Sequence, residues 1–320
     1  MDKKQFLITG GAGFLGSHLS RRLINEGHAV ISIDDLSYGF MENIADLLPL
    51  EDFVFIKKNI TELKENDIDY FYGVDTVFHM AAISALHTCE DNPAWCVDVN
   101  TKGTVIVLEL ARKAGVDKFF FSGTSAVYER TPPEIIEANN GSLIEDSDRF
   151  HPCSMYAIAK ESSEKFVRYF YPQNHVIYRY HNVFGPGMNL KRDLPPLIGN
   201  FLKGIQKNNS VIIFGDGTKK RDYIFYEDVM DFHLKGLDIF SEIKGGTYNI
   251  GTGNSFSVLE ILDIVTQLMN TNNVKIKWEP DRRWESILTM ANIDRERQLF
   301  DIKEFTSIDI GIQKTLESFI

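Results

Sequence analysis

The stretch QFLITGGAGFLGSHL, residues 5–19, is an apolar run that ends on a glycine cluster and reopens with helical spacing. Gln5–Thr9 has the length and composition of a buried strand. From Phe14 to Glu26, Leu15, Leu19, Leu23 and Ile24 recur on one helical face until Gly27 stops the pattern. Between the two stand Gly10, Gly13 and Gly16, as G-x-x-G-x-x-G. Glycines at such a junction allow a tight turn, close approach of the backbone to a pyrophosphate, and close packing of helix on strand. The amides at the helix start, at Phe14 and Leu15, then face the phosphates with the helix dipole behind them. The segment predicts a dinucleotide site.

An acid is expected about 20 residues on, at the end of the second strand, where it can hold the ribose hydroxyls. The run Ala29–Ile33 ends in Asp34-Asp35, and no Arg or Lys stands between Asp34 and Met41 to receive a 2′-phosphate. Asp34 therefore predicts NAD rather than NADP. Further apolar runs at Phe53–Ile56, Thr76–Met80 and Lys118–Ser122 alternate with helical patterns, including a long one from Pro93 to Ala114. Strands alternating with helices indicate a parallel sheet buried on both faces. The fold class is α/β, a Rossmann-type doubly wound parallel sheet with a smaller mixed α/β C-terminal substrate lobe.

The polar, turn-rich stretch Tyr128–Pro152 reads as a surface loop, and a helix is expected from Tyr156 to Phe170, then a strand at Val176–Tyr180. Beyond His181 the pattern breaks into FGPG, FGDG and IGTGNS, while Tyr226–Phe240 is again amphipathic. The expected division is 1–182 for the dinucleotide domain, with 224–242 returning to it, and 183–320 for the substrate lobe.

Composition narrows the partners. The 320 residues carry 34 Lys and Arg against 45 Asp and Glu, a formal charge of -11, which argues against a general nucleic-acid binder. Three cysteines, Cys89, Cys96 and Cys153, show no C-x-x-C spacing, so neither a disulfide framework nor a zinc site is indicated, and a reducing compartment fits. The eight histidines form no H-x-x-x-H pair, and no metal site is expected. The N-terminus has no signal-peptide pattern and no apolar run is long enough to cross a membrane, so a soluble cytoplasmic protein is expected.

In YAIAK, Tyr156 and Lys160 lie four residues apart and share a helical face. An ammonium beside a phenol favours the phenolate. Bringing a tyrosine from about 10 to near 7 takes roughly 4 kcal/mol, which Lys⁺ and an oxidised nicotinamide could share. Such a tyrosine can take a proton from a hydroxyl while hydride leaves the same carbon.

The glycine segment, TVFHMAA, DVNTKGT, SGTSAVY, YAIAK, YRYHNVFGPG, FGDGTKKRDYIFYEDV and YNIGTGNSFSV occur in one order along nearly the whole chain. Together they resemble the extended short-chain dehydrogenase/reductase family, in its nucleotide-sugar epimerase and dehydratase branch. The resemblance implies that Tyr156 is the catalytic base, Lys160 its partner on the nicotinamide ribose, and Thr124 the hydroxyl bonded to the reacting sugar. It implies cofactor contacts at Asn59 and Ile60, where the family's usual acid is here Asn59, at Met80, Ala81 and Ala82, and at Asn100. It further implies that Asn182, Arg221 and Arg282 bind the sugar-nucleotide diphosphate, although Trp284-Glu285 replaces the family's common Gly-Asp. A homodimer is implied as well, built on the helices around Pro93–Ala114 and Tyr156–Phe170.

Members of this branch begin by moving hydride from sugar C4 to NAD⁺ and differ in the fate of the 4-keto sugar. Dehydratases resemble T-D-E-V-Y and decarboxylases T-S-E-V-Y, whereas this chain has Thr124-Ser125-Ala126-Val127-Tyr128. Elimination needs a proton moved from C5 and another delivered to the leaving oxygen, and Ser125 and Ala126 supply neither. The expectation is a nucleotide-sugar 4-epimerase. A 4-dehydrogenase that releases or passes on the 4-keto sugar is the alternative, ahead of a 4,6-dehydratase. A non-catalytic NAD-binding regulator is disfavoured by the intact Thr124, Tyr156 and Lys160. His181 stands where an aromatic often flanks the nicotinamide, and is expected to be a packed ring rather than a proton carrier.

Overall fold

The computed structural model describes residues 2–144, 152–192, 195–282 and 285–318. From the N-terminus it runs β1 (Gln5–Thr9), α1 (Phe14–Asn25), β2 (Ala29–Asp34), β3 (Phe53–Lys57) and β4 (Thr76–His79). Then follow α2 (Leu86–Asp91), α3 (Pro93–Val97), α4 (Thr104–Lys113), β5 (Lys118–Thr124), α5 (Pro133–Ala138), α6 (Met155–Phe170) and β6 (His175–Tyr180). The remainder is β7 (Asn182–Phe184), α7 (Leu197–Asn208), β8 (Ser210–Phe214), β9 (Lys220–Phe225), α8 (Tyr226–Asp238), α9 (Phe240–Ile243) and β10 (Gly246–Ile250). The chain closes with β11 (Ser255–Ser257), α10 (Val258–Leu268), β12 (Lys275–Glu279), α11 (Asp294–Leu299) and α12 (Ile308–Glu317).

Seven strands form one sheet in the order β10-β6-β5-β4-β1-β2-β3, and the pairings of β1 with β2, β2 with β3, β1 with β4 and β4 with β5 are all parallel. Near-continuous burial along β1, β2, β4 and β5 explains why these segments read as unbroken apolar runs rather than alternating ones. Leu7, Ile33, Val77, Phe119 and Phe121 contribute to one core with Val107, Leu108 and Val167 from the helices. The strand order reverses between β1 and β4. In register, Thr9 sits beside both Ile33 and His79, so the carboxyl ends of β1, β2 and β4 reach the same edge. Ligands of open α/β sheets bind outside such a switch point.

The chain forms two compact units, 1–127 with Pro152–Arg179 and His233–Tyr248, and 128–151 with Tyr180–Phe232 and 249–320. The returning segment is thus His233–Tyr248 instead of 224–242, and the stretch from Tyr128 leaves the first unit earlier than a boundary at residue 182. The second unit holds a three-stranded sheet, β11-β9-β7, and a parallel pair, β12-β8.

Three expectations are corrected. The stretch after Tyr128 is not all loop: it contains α5, and Ser142 forms a parallel bridge with Ala291, while residues 145–151 lie outside the described residues. The long helix from Pro93 is interrupted by a π-helical turn at Asp98–Gly103. Cys89 and Cys96 form a disulfide, because the short break between α2 and α3 brings their Cα atoms to 5.0 Å, inside the range a disulfide spans. A residue count and a C-x-x-C search do not see that folding back. Among the described residues no helix is long and apolar enough to cross a membrane.

Candidate active site

The glycine turn is built as its sequence requires. Gly10 has φ +72, and a Cβ there would lie 2.8 Å from the backbone nitrogen of Ala81. A Cβ on Gly16 would lie 2.2 Å from the Gly10 carbonyl oxygen, and one on Gly13 would lie 3.0 Å from it. Only hydrogen fits at Gly10 and Gly16, and Gly13 is tight, so the turn, the start of α1 and the exit of β4 are pressed together. Phe14 and Leu15 open α1 behind Gly13, with no side-chain cap and no acid in the first turn to compete with an incoming anion.

Asp34 ends β2 beside this turn. One carboxylate oxygen accepts the Ala12 amide at 3.1 Å and the other the Leu36 amide at 2.8 Å. Burial pushes its pKa up, against the lowering effect of those amides. Two pinned carboxylate oxygens suit a pair of ribose hydroxyls and would repel a 2′-phosphate. Met80 and Ala81 follow β4 and donate their amides to the Thr9 hydroxyl, at 3.2 Å each, and Ala82 continues the segment.

Two expected contacts have other partners. Asn59 caps the 3-10 turn Ile60–Glu62 by accepting the Thr61 amide at 2.9 Å and donates to Asp35 at 2.7 Å. Ile60 is buried, in the space that Gly103 leaves open. Asn100 lies in the π-helical turn. Its side chain accepts the Ile83 amide at 2.8 Å and donates to the Ile83 carbonyl at 3.0 Å, fixing the segment that leaves β4. Its own carbonyl accepts the hydroxyls of Thr104 and Ser163 at 2.7 Å each, tying the turn to α6. Sequence reasoning missed Ser163 and Ile83. The signal available was Asn100 itself, whose amide side chain suits a backbone clamp as well as a ligand.

Helix α6 carries Tyr156 and Lys160. Ser154 caps it by accepting the Ala157 amide at 3.2 Å, and the Glu90 carboxylate accepts the Met155 amide at 2.6 Å. Tyr156 packs with Ile83, Cys89, Cys96 and Ala159. Lys160 is 2% exposed, makes no hydrogen bond to the described residues, and holds its ammonium 4.1 Å from the centre of the Phe121 ring. Burial pushes its pKa down to about 7, with Glu164 pulling the other way. A buried ammonium without an acceptor is the kind of donor that a cofactor hydroxyl satisfies. Thr124 ends β5, three residues beyond Phe121, and its hydroxyl accepts the Ala126 amide at 3.2 Å. His79, on β4, is bonded by its two ring nitrogens to Thr9 and Thr104. Burial, with Lys160 adding to it, pushes its pKa down to about 3, so the ring is neutral.

The second unit brings cations together. Arg282 lies over the Phe214 ring at 3.7 Å and donates to Glu285 at 3.0 Å, while Arg221 on β9 approaches the same carboxylate at 3.8 Å. Lys219 reaches Glu285 at 3.8 Å and also pairs with Asp281. Arg221 and Arg282 therefore share one anion, and Glu285 is the member that sequence reading treated only as a departure. Trp284 lies outside the described residues. Asn182 opens β7 and donates to the Asp222 carbonyl at 3.2 Å. The buried Asp222 carboxylate accepts the amides of Thr252, Gly253 and Ala291 and so fixes the IGTGNS turn. His181 is buried with its ring stacked on Tyr128, a packed ring as expected. Among the described residues no group of three or more His, Cys, Asp or Glu could hold a metal.

The NAD dependent epimerase/dehydratase family model matches residues 6–251. The chain belongs to that family. It is similar to the UDP-glucose 4-epimerase of Mycolicibacterium smegmatis, 28% identical over 98% of this chain and 97% of the relative. It is also similar to the dTDP-glucose 4,6-dehydratase of Escherichia coli, 29% identical over 99% and 92%. Among solved structures, the UDP-glucuronic acid 4-epimerase of Bacillus cereus, in complex with UDP-glucuronic acid and NAD, superposes with a TM-score of 0.85. It is 26% identical, with 98% of each chain covered. The chain is thus an NAD-dependent nucleotide-sugar epimerase/oxidoreductase of the extended short-chain dehydrogenase/reductase family. Its cofactor is NAD, and the glycine turn, the doubly pinned Asp34 and the unpaired Lys160 ammonium fit that molecule.

Proposed function

We propose that the chain is a nucleotide-sugar 4-epimerase working through a transient 4-keto sugar. The observation that carries this reading is the pairing of Tyr156 and Lys160 on α6 with Ser125-Ala126 directly after Thr124. The first supplies alcohol oxidation; the second leaves no carboxylate where the family's dehydratases resemble an Asp-Glu pair and its decarboxylases a single Glu. NAD⁺ supplies the hydride acceptor and, once reduced, its donor. Thr124 holds the sugar C4 hydroxyl, Tyr156 takes its proton, and the Lys160 ammonium stabilises the phenolate. Arg221 and Arg282, which now share Glu285, clamp the diphosphate together with Asn182. Binding strength then rests on the nucleotide, and the hexose is free to turn before hydride returns to its other face.

Mass spectrometry of products from UDP-, GDP- and dTDP-sugars with NAD⁺ tests this. A product of unchanged mass, separable from substrate and formed without accumulating NADH, is expected. Loss of two hydrogens with matching NADH would establish the 4-dehydrogenase instead, and loss of water would overturn the argument from Ser125 and Ala126. We further propose a cytoplasmic homodimer. Trp95, Val97, Ile158, Phe166 and Tyr169 are exposed apolar or aromatic side chains on α3 and α6, available for a second copy. A monomeric sedimentation profile at micromolar concentration would refute that assembly.

A further inference from the structure

Tyr156, Lys160, Glu164 and Arg168 follow one another at intervals of four, so one stripe of α6 carries a phenol, an ammonium, a carboxylate and a guanidinium. Glu164 is 1% exposed, an unusual place for a carboxylate. It accepts from Arg179 on β6 at 2.9 Å and 2.6 Å, and from Arg168 at 3.1 Å. Room for the pair comes from Gly123, next to Thr124: a Cβ there would lie 3.1 Å from a Glu164 oxygen and 3.2 Å from Arg179. The ion pair therefore lies against the strand end that carries Thr124 and one helical turn from Lys160.

We propose that Glu164 is a positioning residue that keeps Lys160 protonated for Tyr156. This rests on the assignment of Tyr156 and Lys160 as the reacting pair. A buried ammonium with no hydrogen-bond acceptor loses its proton unless a negative charge stands near it. The surroundings leave Glu164 in that role. On β4, His79 is neutral. On β5, Lys160 meets the Phe121 ring, and Lys118 pairs with Asp75. On α2, Glu90 accepts the Met155 amide and Asp91 is the other acid, α3 carries no charged residue, and of all these carboxylates only Glu164 acts on the Lys160 ammonium. In the π-helical turn Asp98 pairs with Lys102; on α4 Glu109 pairs with Lys113, and Arg112 lies over Phe170. The positive groups near the stripe are Arg179 and Arg168, which hold Glu164 ionised, well below the ordinary carboxylate range despite its burial.

The two ends of the network can be pulled in opposite directions. Glu164→Gln removes the carboxylate and leaves the guanidiniums, so Lys160 should lose its proton at lower pH, by roughly one pH unit or more for a charge at this range. Arg168→Gln removes a half-exposed partner, spares the bond to Arg179, and frees more of the Glu164 charge to act on Lys160. Its titration should move to higher pH. The measurement is the ¹³Cε titration of Lys160 by NMR in lysine-labelled, NAD⁺-bound enzyme, assigned with Lys160→Met. A downward shift in Glu164→Gln with an upward shift in Arg168→Gln supports the role. If Glu164→Gln does not fold, the direction in Arg168→Gln decides. Unmoved midpoints would reduce Glu164 to a structural pair and overturn the proposal. Failure of the underlying assignment reads differently: Tyr156→Phe would then turn over substrate as the wild type does.

Discussion

Lys160 should make the cofactor-free protein less stable than it would be without it. The perturbation is Lys160→Met, which keeps the length of the side chain and removes the charge. A lysine ordinarily titrates at 10.5 and this one at about 7, an interval worth on the order of 4–5 kcal/mol. Below pH 7 the folded and unfolded chains both carry the proton, and the fold bears the whole cost of the buried ammonium. Between about pH 7 and 10.5 the unfolded chain binds more protons, so stability rises with pH. Above 10.5 both states are neutral and the cost is gone. In cofactor-free protein, Lys160→Met should therefore unfold at higher temperature than wild type near pH 7, by roughly 5 °C for a chain of this size. The difference should close as pH approaches 10.5. Differential scanning calorimetry of both proteins across that range is the assay. Parallel curves, or a variant less stable than wild type at pH 7, would refute the reasoning. Turnover should be lost in the same variant, the ordinary exchange of stability for function.

Asp34→Ala should weaken NAD⁺ binding by roughly 1.5–3 kcal/mol, the worth of hydrogen bonds to a charged group. It should also narrow the preference over NADP⁺, and calorimetric titration with both cofactors checks this. Arg282→Gln should raise KM for the nucleotide sugar with little change in kcat, because the diphosphate is gripped equally before and during the reaction. A fall in kcat alone would place Arg282 elsewhere. Asn100→Ala leaves both the amide and the carbonyl of Ile83 without their buried partner, at about 1–3 kcal/mol each. Its unfolding temperature should drop, and cofactor affinity should fall only with it. A selective loss of NAD⁺ affinity at unchanged stability would make Asn100 a cofactor contact.

The first unit was legible because its signals are local. A buried parallel strand is an apolar run, a glycine that must touch backbone is a glycine, and an i, i+4 pair on a helix is visible as spacing. Gly10, Gly16, Asp34, Tyr156 and Lys160 all belong to this class. The features that escaped depend on partners distant in sequence. The π-helical turn at Asp98–Gly103 lies inside a pattern that periodicity reads as one helix, and the disulfide between Cys89 and Cys96 depends on a helix break. Glu285 is unremarkable as a letter, and acquires meaning only when Lys219, Arg221 and Arg282 are found around it. Glu164 is the extreme case, since a charged residue one turn past Lys160 would ordinarily be assigned to solvent.

The polar residues of the first unit divide by what their atoms are already doing. Asn59 and Asn100 were candidates for cofactor contact, and the fold has used their side chains to hold Asp35, Thr61 and Ile83. Lys160 is the opposite: it is buried as deeply, yet no protein acceptor among the described residues answers its ammonium. Most buried polar groups are paired, and leaving a charge unpaired costs far more than leaving a hydroxyl so, so a satisfied amide reads as structure and an unanswered ammonium points to a ligand. Asp34 lies between the two, its oxygens held by backbone amides and with lone pairs still to give. Ranked this way, the site's demand for a cofactor concentrates on Lys160 and Asp34, at opposite ends of what an extended dinucleotide presents. The glycines between them contribute no polar side chain at all; under the proposed reading they contribute the space that lets backbone amides meet the phosphates.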